Sequence, residues 1–288
     1  MHSSDVARGT AAAMEVASTL GLSVADARIL HNSNKLALRL LPCDVVARVA
    51  FAGQEVFRAE VEIARQLAAT ETPVARLEPR VEPRVYGHDE FVVTLWSYYE
   101  QVPEQVPPAE YARALLRLHQ GMAKVDVDVP HVTDRVAEAQ QLVASRAQTP
   151  ALAEADRELL SSTLRIGRRA ITERADAEQL LHGEPHPGNL LNTTNGPLFI
   201  DLETCCRGPV EFDLAHVPDR VTACYPGANA DVLQAARLLV LAMVAAWRWD
   251  RRDQLPNGER AGQELLESIR DGPPWPALDV VMRKAGAS

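Results

Sequence analysis

The stretch Leu181-His182-Gly183-Glu184-Pro185-His186-Pro187-Gly188-Asn189-Leu190-Leu191 decides how this chain is read. It is followed by Phe199-Ile200-Asp201-Leu202-Glu203 and by Gly208-Pro209-Val210-Glu211-Phe212-Asp213-Leu214-Ala215. Pro185 and Pro187 bar an ordinary helix interior, so His182 and His186 lack the helical frame of a zinc-binding pair. Leu198-Phe199-Ile200 reads as a strand that delivers Asp201 to its carboxyl end. The loop upstream offers one carboxylate, Glu184, and one amide, Asn189. Oxygen donors of this kind suit Mg2+, a hard cation that keeps several waters and takes phosphate oxygens. A second carboxylate near the metal can accept the proton of an attacking hydroxyl. Metal, positioning and a base are the minimum for phosphoryl transfer.

In residue type, spacing and order, positions 181–215 resemble the aminoglycoside phosphotransferase and choline kinase-like family, relatives of the protein kinases. That family's loop runs His-Gly-Asp-x-His-x-x-Asn. An apolar pair with Asp-x-Asp or Asp-x-Glu follows, then Gly-x-Pro-x-x-Asp-Leu-Ala or a close variant. The resemblance implies that Asn189 and Asp201 ligate Mg2+ and that Glu203 lies near the metal or just behind its ligands. It places Glu184 where the catalytic Asp normally stands, gives His182 the task of bracing the loop, and makes Asp213 a structural partner of that loop. Position 184 departs from the family. One extra methylene moves the carboxylate by roughly 1–1.5 Å, whereas catalytic geometry tolerates about 0.5 Å.

Upstream, Ala27–Leu30, Leu36–Leu40 and Val45–Val49 read as three short strands, separated by turn-like 31–34 and 41–44. Val56, Ala59, Ile63 and Leu67 recur at helical spacing over 54–69. Arg84–Tyr86 and Phe91–Trp96 read as a strand pair. By resemblance, Arg48 takes the place of the basic residue on the nucleotide's α/β-phosphates, a residue that is often Lys. Arg can also hold phosphate. Glu60 on the next helix is its expected partner, with Glu62 as the alternative. The glycine-free turn with Ser33 and Asn34 would cover the phosphates through backbone N–H groups and the Ser33 hydroxyl. Thr94, Leu95 and Trp96 would form the hinge against which adenine or guanine stacks.

Three prolines mark 97–108 as a connector, and five helices follow between Ala109 and Ile269. The expected fold is α+β and two-lobed, protein-kinase-like, with a β-rich nucleotide-binding lobe over 1–97 and a helical catalytic and substrate-binding lobe over 98–288. The net charge of −9 argues against a nucleic-acid surface and is compatible with a cationic substrate. No apolar run approaches the roughly 20 residues of a membrane span, and no signal peptide is recognised at the start, so a cytoplasmic protein is expected. Its four cysteines form no Cys-x-x-Cys pair and read as free thiols.

The expected activity is a Mg2+-assisted, ATP- or GTP-dependent transfer to a hydroxyl of a small molecule. The family points to an aminoglycoside or another cationic antibiotic. A metabolic kinase acting on choline, homoserine, a fructosamine or a sugar is the near alternative. A nucleotide-binding pseudokinase, motivated by Glu184 and Arg48, comes from another class. A metal hydrolase using His182 and His186 would contain zinc. The oligomeric state is not legible.

Overall fold

Apolar residues at every second position commit the first part of the chain to a sheet. Leu36, Leu38 and Leu40 are buried, as are Val45, Ala47 and Val49, while Ala37, Arg39, Val46 and Arg48 between them are half-buried. The computed structural model describes residues 1–33, 35–53, 56–174 and 177–286; Asn34 lies outside them. It begins with helix α1 (Ser3–Thr19), strands β1 (Val24–Asn32), β2 (Leu36–Pro42) and β3 (Val45–Phe51), and helix α2 (Val56–Leu67). Strands β4 (Tyr86–His88) and β5 (Phe91–Ser97) complete an antiparallel sheet of order β1-β2-β3-β5-β4. The sequence placed the fourth strand at Arg84–Tyr86. It lies at Tyr86–His88 instead, because Asp89 takes a positive φ of 50° in a two-residue turn that pairs His88 with Phe91.

Helices α3 (Pro108–Met122), α4 (Val132–Ala144) and α5 (Glu154–Arg174) come next, then β6 (Gln179–Leu181). The hairpin β7 (Leu190–Thr193) and β8 (Gly196–Phe199) precedes β9 (Cys206–Gly208), which pairs with β6. The rest is helical: α6 (Val210–Leu214), α7 (Asp219–Thr222), α8 (Ala230–Arg248), α9 (Gly258–Asp271) and α10 (Leu278–Lys284).

The chain divides into two compact units. The first contains Met1–Gln105, Lys124–Asp128 and Leu191–Glu203; the second contains Val106–Ala123, Val129–Leu190 and Thr204–Ser288. In the first unit α1 lays Ala12, Ala13, Val16 and Ala17 on the sheet face made by Leu36, Leu38, Leu40, Val45, Ala47 and Val49. Two backbone hydrogen bonds, Ala75 N–H to the Phe199 carbonyl and Phe199 N–H to the Pro73 carbonyl, fasten the end of β8 into this unit. That fastening carries Asp201 and Glu203 to the sheet.

In the second unit α8 is the central helix, packed by α4, α5, α6 and α9. Gly167 of α5 lets it approach α8 closely, since a Cβ there would stand 3.1 Å from Leu239 Cδ1. Helix α8 has 19 residues and is apolar enough to cross a membrane, which corrects the sequence reading. Its apolar window is 67% buried within the fold, as expected of a core helix that is apolar all round.

Candidate active site

In the first unit, charged side chains from three parts of the chain converge. Arg48 of β3 donates from Nη1 to Glu60 Oε1 of α2. Its Nη2 donates to Asp201 Oδ1 at 2.6 Å and reaches Glu203 Oε2 at 3.4 Å. Glu62, the alternative partner, is instead a half-buried group bonded to Arg65 and Gln66. Glu60 is fully buried. Burial pushes its carboxyl up, and Arg48 pulls against that rise. For Arg48, burial works against the charge, but Glu60 and Asp201 more than restore it. Glu60 Oε1 also accepts the Leu202 N–H at 3.2 Å, which ties α2 directly to the Asp201–Glu203 segment.

Asp201 adopts a positive φ of 67°, a conformation Asp tolerates better than most residues. The turn ends the β8 direction and starts the short 3-10 helix Leu202–Thr204. Lys35, unmarked by sequence reasoning, also forms an ion pair with Glu203 Oε2. It is one of only three lysines in the chain, with Lys124 and Lys284. That scarcity was the available signal. Asp201 Oδ2 and Glu203 Oε1 have no partner among the described residues, and both side chains are partly exposed.

Thr94, Leu95 and Trp96 are buried in β5, and the Trp96 indole N–H donates to Thr94 Oγ1 at 2.9 Å. The backbone around them is engaged on both edges. β3 pairs along one side, and on the other the Leu95 carbonyl accepts from Glu78 N–H while Ser97 N–H donates to Arg76. The Ser33 N–H donates to the Lys35 carbonyl, closing the turn between β1 and β2.

In the second unit the loop 182–189 is built around Asp213. Asp213 is fully buried, and its Oδ1 accepts the Gly183 N–H at 2.8 Å. Its Oδ2 accepts the His182 N–H at 3.0 Å and contacts His119 Nε2 at 3.0 Å. On its other side His119 Nδ1 lies 2.8 Å from the Tyr225 hydroxyl. Burial alone would raise the Asp213 carboxyl; His119, His182 and the Gly183 N–H hold it below its ordinary value. Position 183 admits only glycine. Its φ is +89°, and a Cβ would stand 2.0 Å from the Thr204 carbonyl oxygen.

Glu184 is held by Arg135 of α4, whose Nη2 donates to Oε1 at 2.6 Å. Arg135 lies within 5.9 Å of the Phe212 ring centroid and 5.6 Å of that of Trp247. Burial would raise the Glu184 carboxyl, but Arg135 holds it below the usual range, so it is ionised at neutral pH. The Asn189 amide donates to the Glu184 carbonyl at 2.9 Å. Its Oδ1 is left without a partner among the described residues. His182 is fully buried in the loop, and His186 Nδ1 accepts the Gly188 N–H at 3.0 Å. No group of three or more His, Cys, Asp and Glu gathers as a metal cluster among the described residues.

Two further buried groups lie beside Glu184 and Arg135. Cys206, the β9 thiol, is pushed by burial up to about 12 and is inert as a nucleophile. His216 is buried, and neither ring nitrogen has a hydrogen-bond partner among the described residues. Burial drives its imidazole down to about 4, against the pull of Glu184 and Asp213. An unfolded His titrates near 6.5, so below that pH the unfolded chain binds a proton that the folded chain refuses. Stability then falls as pH drops from about 6.5 towards 4, by about 2 kcal/mol at pH 5. Urea unfolding at pH 7 and pH 5 should give that difference in the wild type and a much smaller one in His216→Leu. An equal difference in both would place the acid sensitivity elsewhere.

A sheet unit with a buried Arg–Glu pair beside an Asp-x-Glu segment, and a helical unit presenting an ionised carboxylate on an Asp-anchored loop, define an α+β phosphotransferase of kinase-like fold. The chain belongs to the phosphotransferase enzyme family, whose profile matches residues 30–255. It is thus an enzyme that transfers phosphate to a hydroxyl of a small molecule. No curated protein sequence matches it. Among solved structures it is similar to the amicoumacin kinase hAmiN in complex with AMP-PNP, Ca2+ and Ami. That match has a TM-score of 0.68 at 11% identity and covers 96% of this chain and 98% of the other. The GDP and kanamycin complex of an APH(2") enzyme matches with a TM-score of 0.68 at 16% identity, covering 90% and 98%. A putative fructosamine-3-kinase from Haemophilus somnus matches with a TM-score of 0.65 at 12% identity, covering 92% and 99%. At these identities the likeness is one of fold.

Proposed function

We propose that this protein is a cytoplasmic, Mg2+-assisted kinase that moves the γ-phosphoryl group of ATP or GTP onto a hydroxyl of a cationic small molecule, an aminoglycoside or another cationic antibiotic. The observation that carries the reading is Glu184, a carboxylate kept ionised and aimed by Arg135 on the loop that also bears Asn189. A hydroxyl placed against Glu184 loses its proton to that carboxylate as the bond to phosphorus forms. In a loose transition state little basicity is needed and orientation does most of the work. The lowered basicity of an Arg-paired Glu is therefore tolerable.

The donor chemistry fits a hard cation: Asp201 Oδ2, Glu203 Oε1 and Asn189 Oδ1 are oxygens without partners among the described residues. On this reading Asp201 would hold the ion with Glu203 beside it, Asn189 being added by the family resemblance alone, and the ion would neutralise charge on the phosphoryl oxygens. Arg48, with Glu60, and the Ser33 turn would border the nucleotide's phosphates, and Thr94, Leu95 and Trp96 would wall its base. His182 would keep the catalytic loop in place.

The acceptor class is supported by the net charge of −9 and by the kanamycin and Ami complexes of structurally similar proteins. The similar putative fructosamine-3-kinase favours the metabolic alternative. Incubation with Mg2+, ATP or GTP and a mixed panel of aminoglycosides, basic peptide antibiotics, choline, homoserine, fructosamines and sugars separates them. A mass gain of one phosphoryl group on an amine-bearing antibiotic is expected. A gain confined to a sugar or another neutral metabolite would replace the antibiotic reading with the metabolic one.

A further inference from the structure

The two cations facing the Asp201–Glu203 segment are not equivalent. Arg48 is committed: Nη1 serves Glu60, and Nη2 serves Asp201 and Glu203. Glu60 is fully buried, and its Oε2 has no partner among the described residues. Drawing the guanidinium away would leave a buried carboxyl uncompensated, which is a strongly destabilising change. Lys35 is differently placed. An ammonium has three donors, and among the described residues the oxygen that Lys35 pairs with is Glu203 Oε2, which it shares with Arg48. Its Nζ also stands 4.7 Å from the Phe57 ring centroid, a soft contact that positions it without using a donor. Both Lys35 and Glu203 are partly exposed, at 15% and 25% of the side chain. Lys35 directly precedes β2, and its carbonyl closes the turn with Ser33. The same glycine-free turn that would cover a phosphate chain thus roots a donor-rich cation.

We propose that Lys35 is the residue whose cation takes the nucleotide's phosphate oxygens, while Arg48 stays behind as the strut that holds Glu60 and Asp201. The assignment rests on the kinase reading and shifts the phosphate contact from the third strand to the start of the second. It accounts for the Arg at position 48: a planar fork with five donors suits a fixed three-carboxylate junction better than a flexible ammonium does. It also gives a role to one of three lysines in an arginine-rich chain.

Calorimetric binding of ATP, GTP and the corresponding nucleosides, with Mg2+ present, tests it on wild type, Lys35→Met, Lys35→Arg and Arg48→Met, with melting curves for each. Lys35→Met should lose at least tenfold in triphosphate affinity, about 1.4 kcal/mol, with unchanged nucleoside affinity and a wild-type melting temperature. Lys35→Arg should recover most of the loss. Arg48→Met should melt markedly lower. If Lys35→Met does not fold, Lys35→Gln carries the same comparison of triphosphate against nucleoside. Triphosphate affinity unchanged at position 35 while wild type binds nucleotide would overturn the assignment alone. A wild type that binds no nucleotide would instead remove the kinase reading, and this assignment with it.

Discussion

Glu184→Gln is expected to lower the phosphoryl-transfer rate by about 10²- to 10⁴-fold and to leave nucleotide affinity unchanged. The amide oxygen of Gln can still accept from Arg135, so the loop and its Arg135 contact persist. Only the capacity to take a proton is removed. Because Arg135 holds Glu184 below the ordinary carboxylate range, its carboxylate stays ionised throughout neutral and mildly acidic solution. The wild-type kcat profile should therefore show no acidic limb from this group above about pH 4.5. Single-turnover rates from pH 5 to 8, with nucleotide binding measured alongside, check both statements. A matching change in nucleotide affinity would make Glu184 a binding group rather than a base. Glu184→Asp should also be slow, although the family has Asp at this position. Shortening the side chain withdraws the carboxylate from Arg135 by roughly 1–1.5 Å, beyond the tolerance of a positioned base.

Asp213→Ala should be strongly destabilising. It removes the acceptor of three buried donors: the N–H groups of His182 and Gly183 and the His119 ring. At about 1–3 kcal/mol for each of the three orphaned donors, the loss is on the order of 3–9 kcal/mol, enough to unfold a marginal domain. Denaturant unfolding at neutral pH measures it directly. The sign of the pH dependence separates this group from His216. The folded Asp213 carboxyl lies below its unfolded value, so its contribution is complete above about pH 4 and is lost only as pH falls through the lower folded value. Acid loss between pH 6.5 and 5 therefore belongs to His216, and Asp213→Ala should lower the whole curve without changing that slope. A loss below 1 kcal/mol would mean that water replaces the carboxylate, and that the loop is held elsewhere.

The strands and long helices were legible because their signals are local. Leu36, Leu38 and Leu40 alternate, and Val56, Ile63 and Leu67 fall on a helical period. Strands β6 and β9 are three residues each, too short for a period to emerge, and they exist because they pair with each other. Helix α8 is apolar on every side, so its sequence alone does not distinguish a core helix from a membrane span.

The motif positions Glu184, Asn189, Asp201, Glu203 and Asp213 were singled out by residue type and spacing. Their partners were not. Arg135 meets Glu184 across 49 positions, Tyr225 meets His119 across 106, and Lys35 meets Glu203 from the other end of the chain. No periodicity encodes such pairs, since they are set by packing. The extra methylene at position 184 looked like a defect in the sequence. In the fold it reaches Arg135, so the departure has a partner.

The most direct test of the account follows the γ-phosphoryl group itself. Wild-type protein is incubated with γ-labelled ATP or GTP, Mg2+ and the hydroxylated panel, and the label is traced into organic ester, inorganic phosphate and unspent nucleotide. The account predicts label in the ester of an acceptor hydroxyl, in a metal-dependent reaction that Glu184→Gln suppresses. Label that remains on bound nucleotide across the panel would contradict it and make the protein a nucleotide-binding pseudokinase. Label found only as inorganic phosphate would make it a hydrolase.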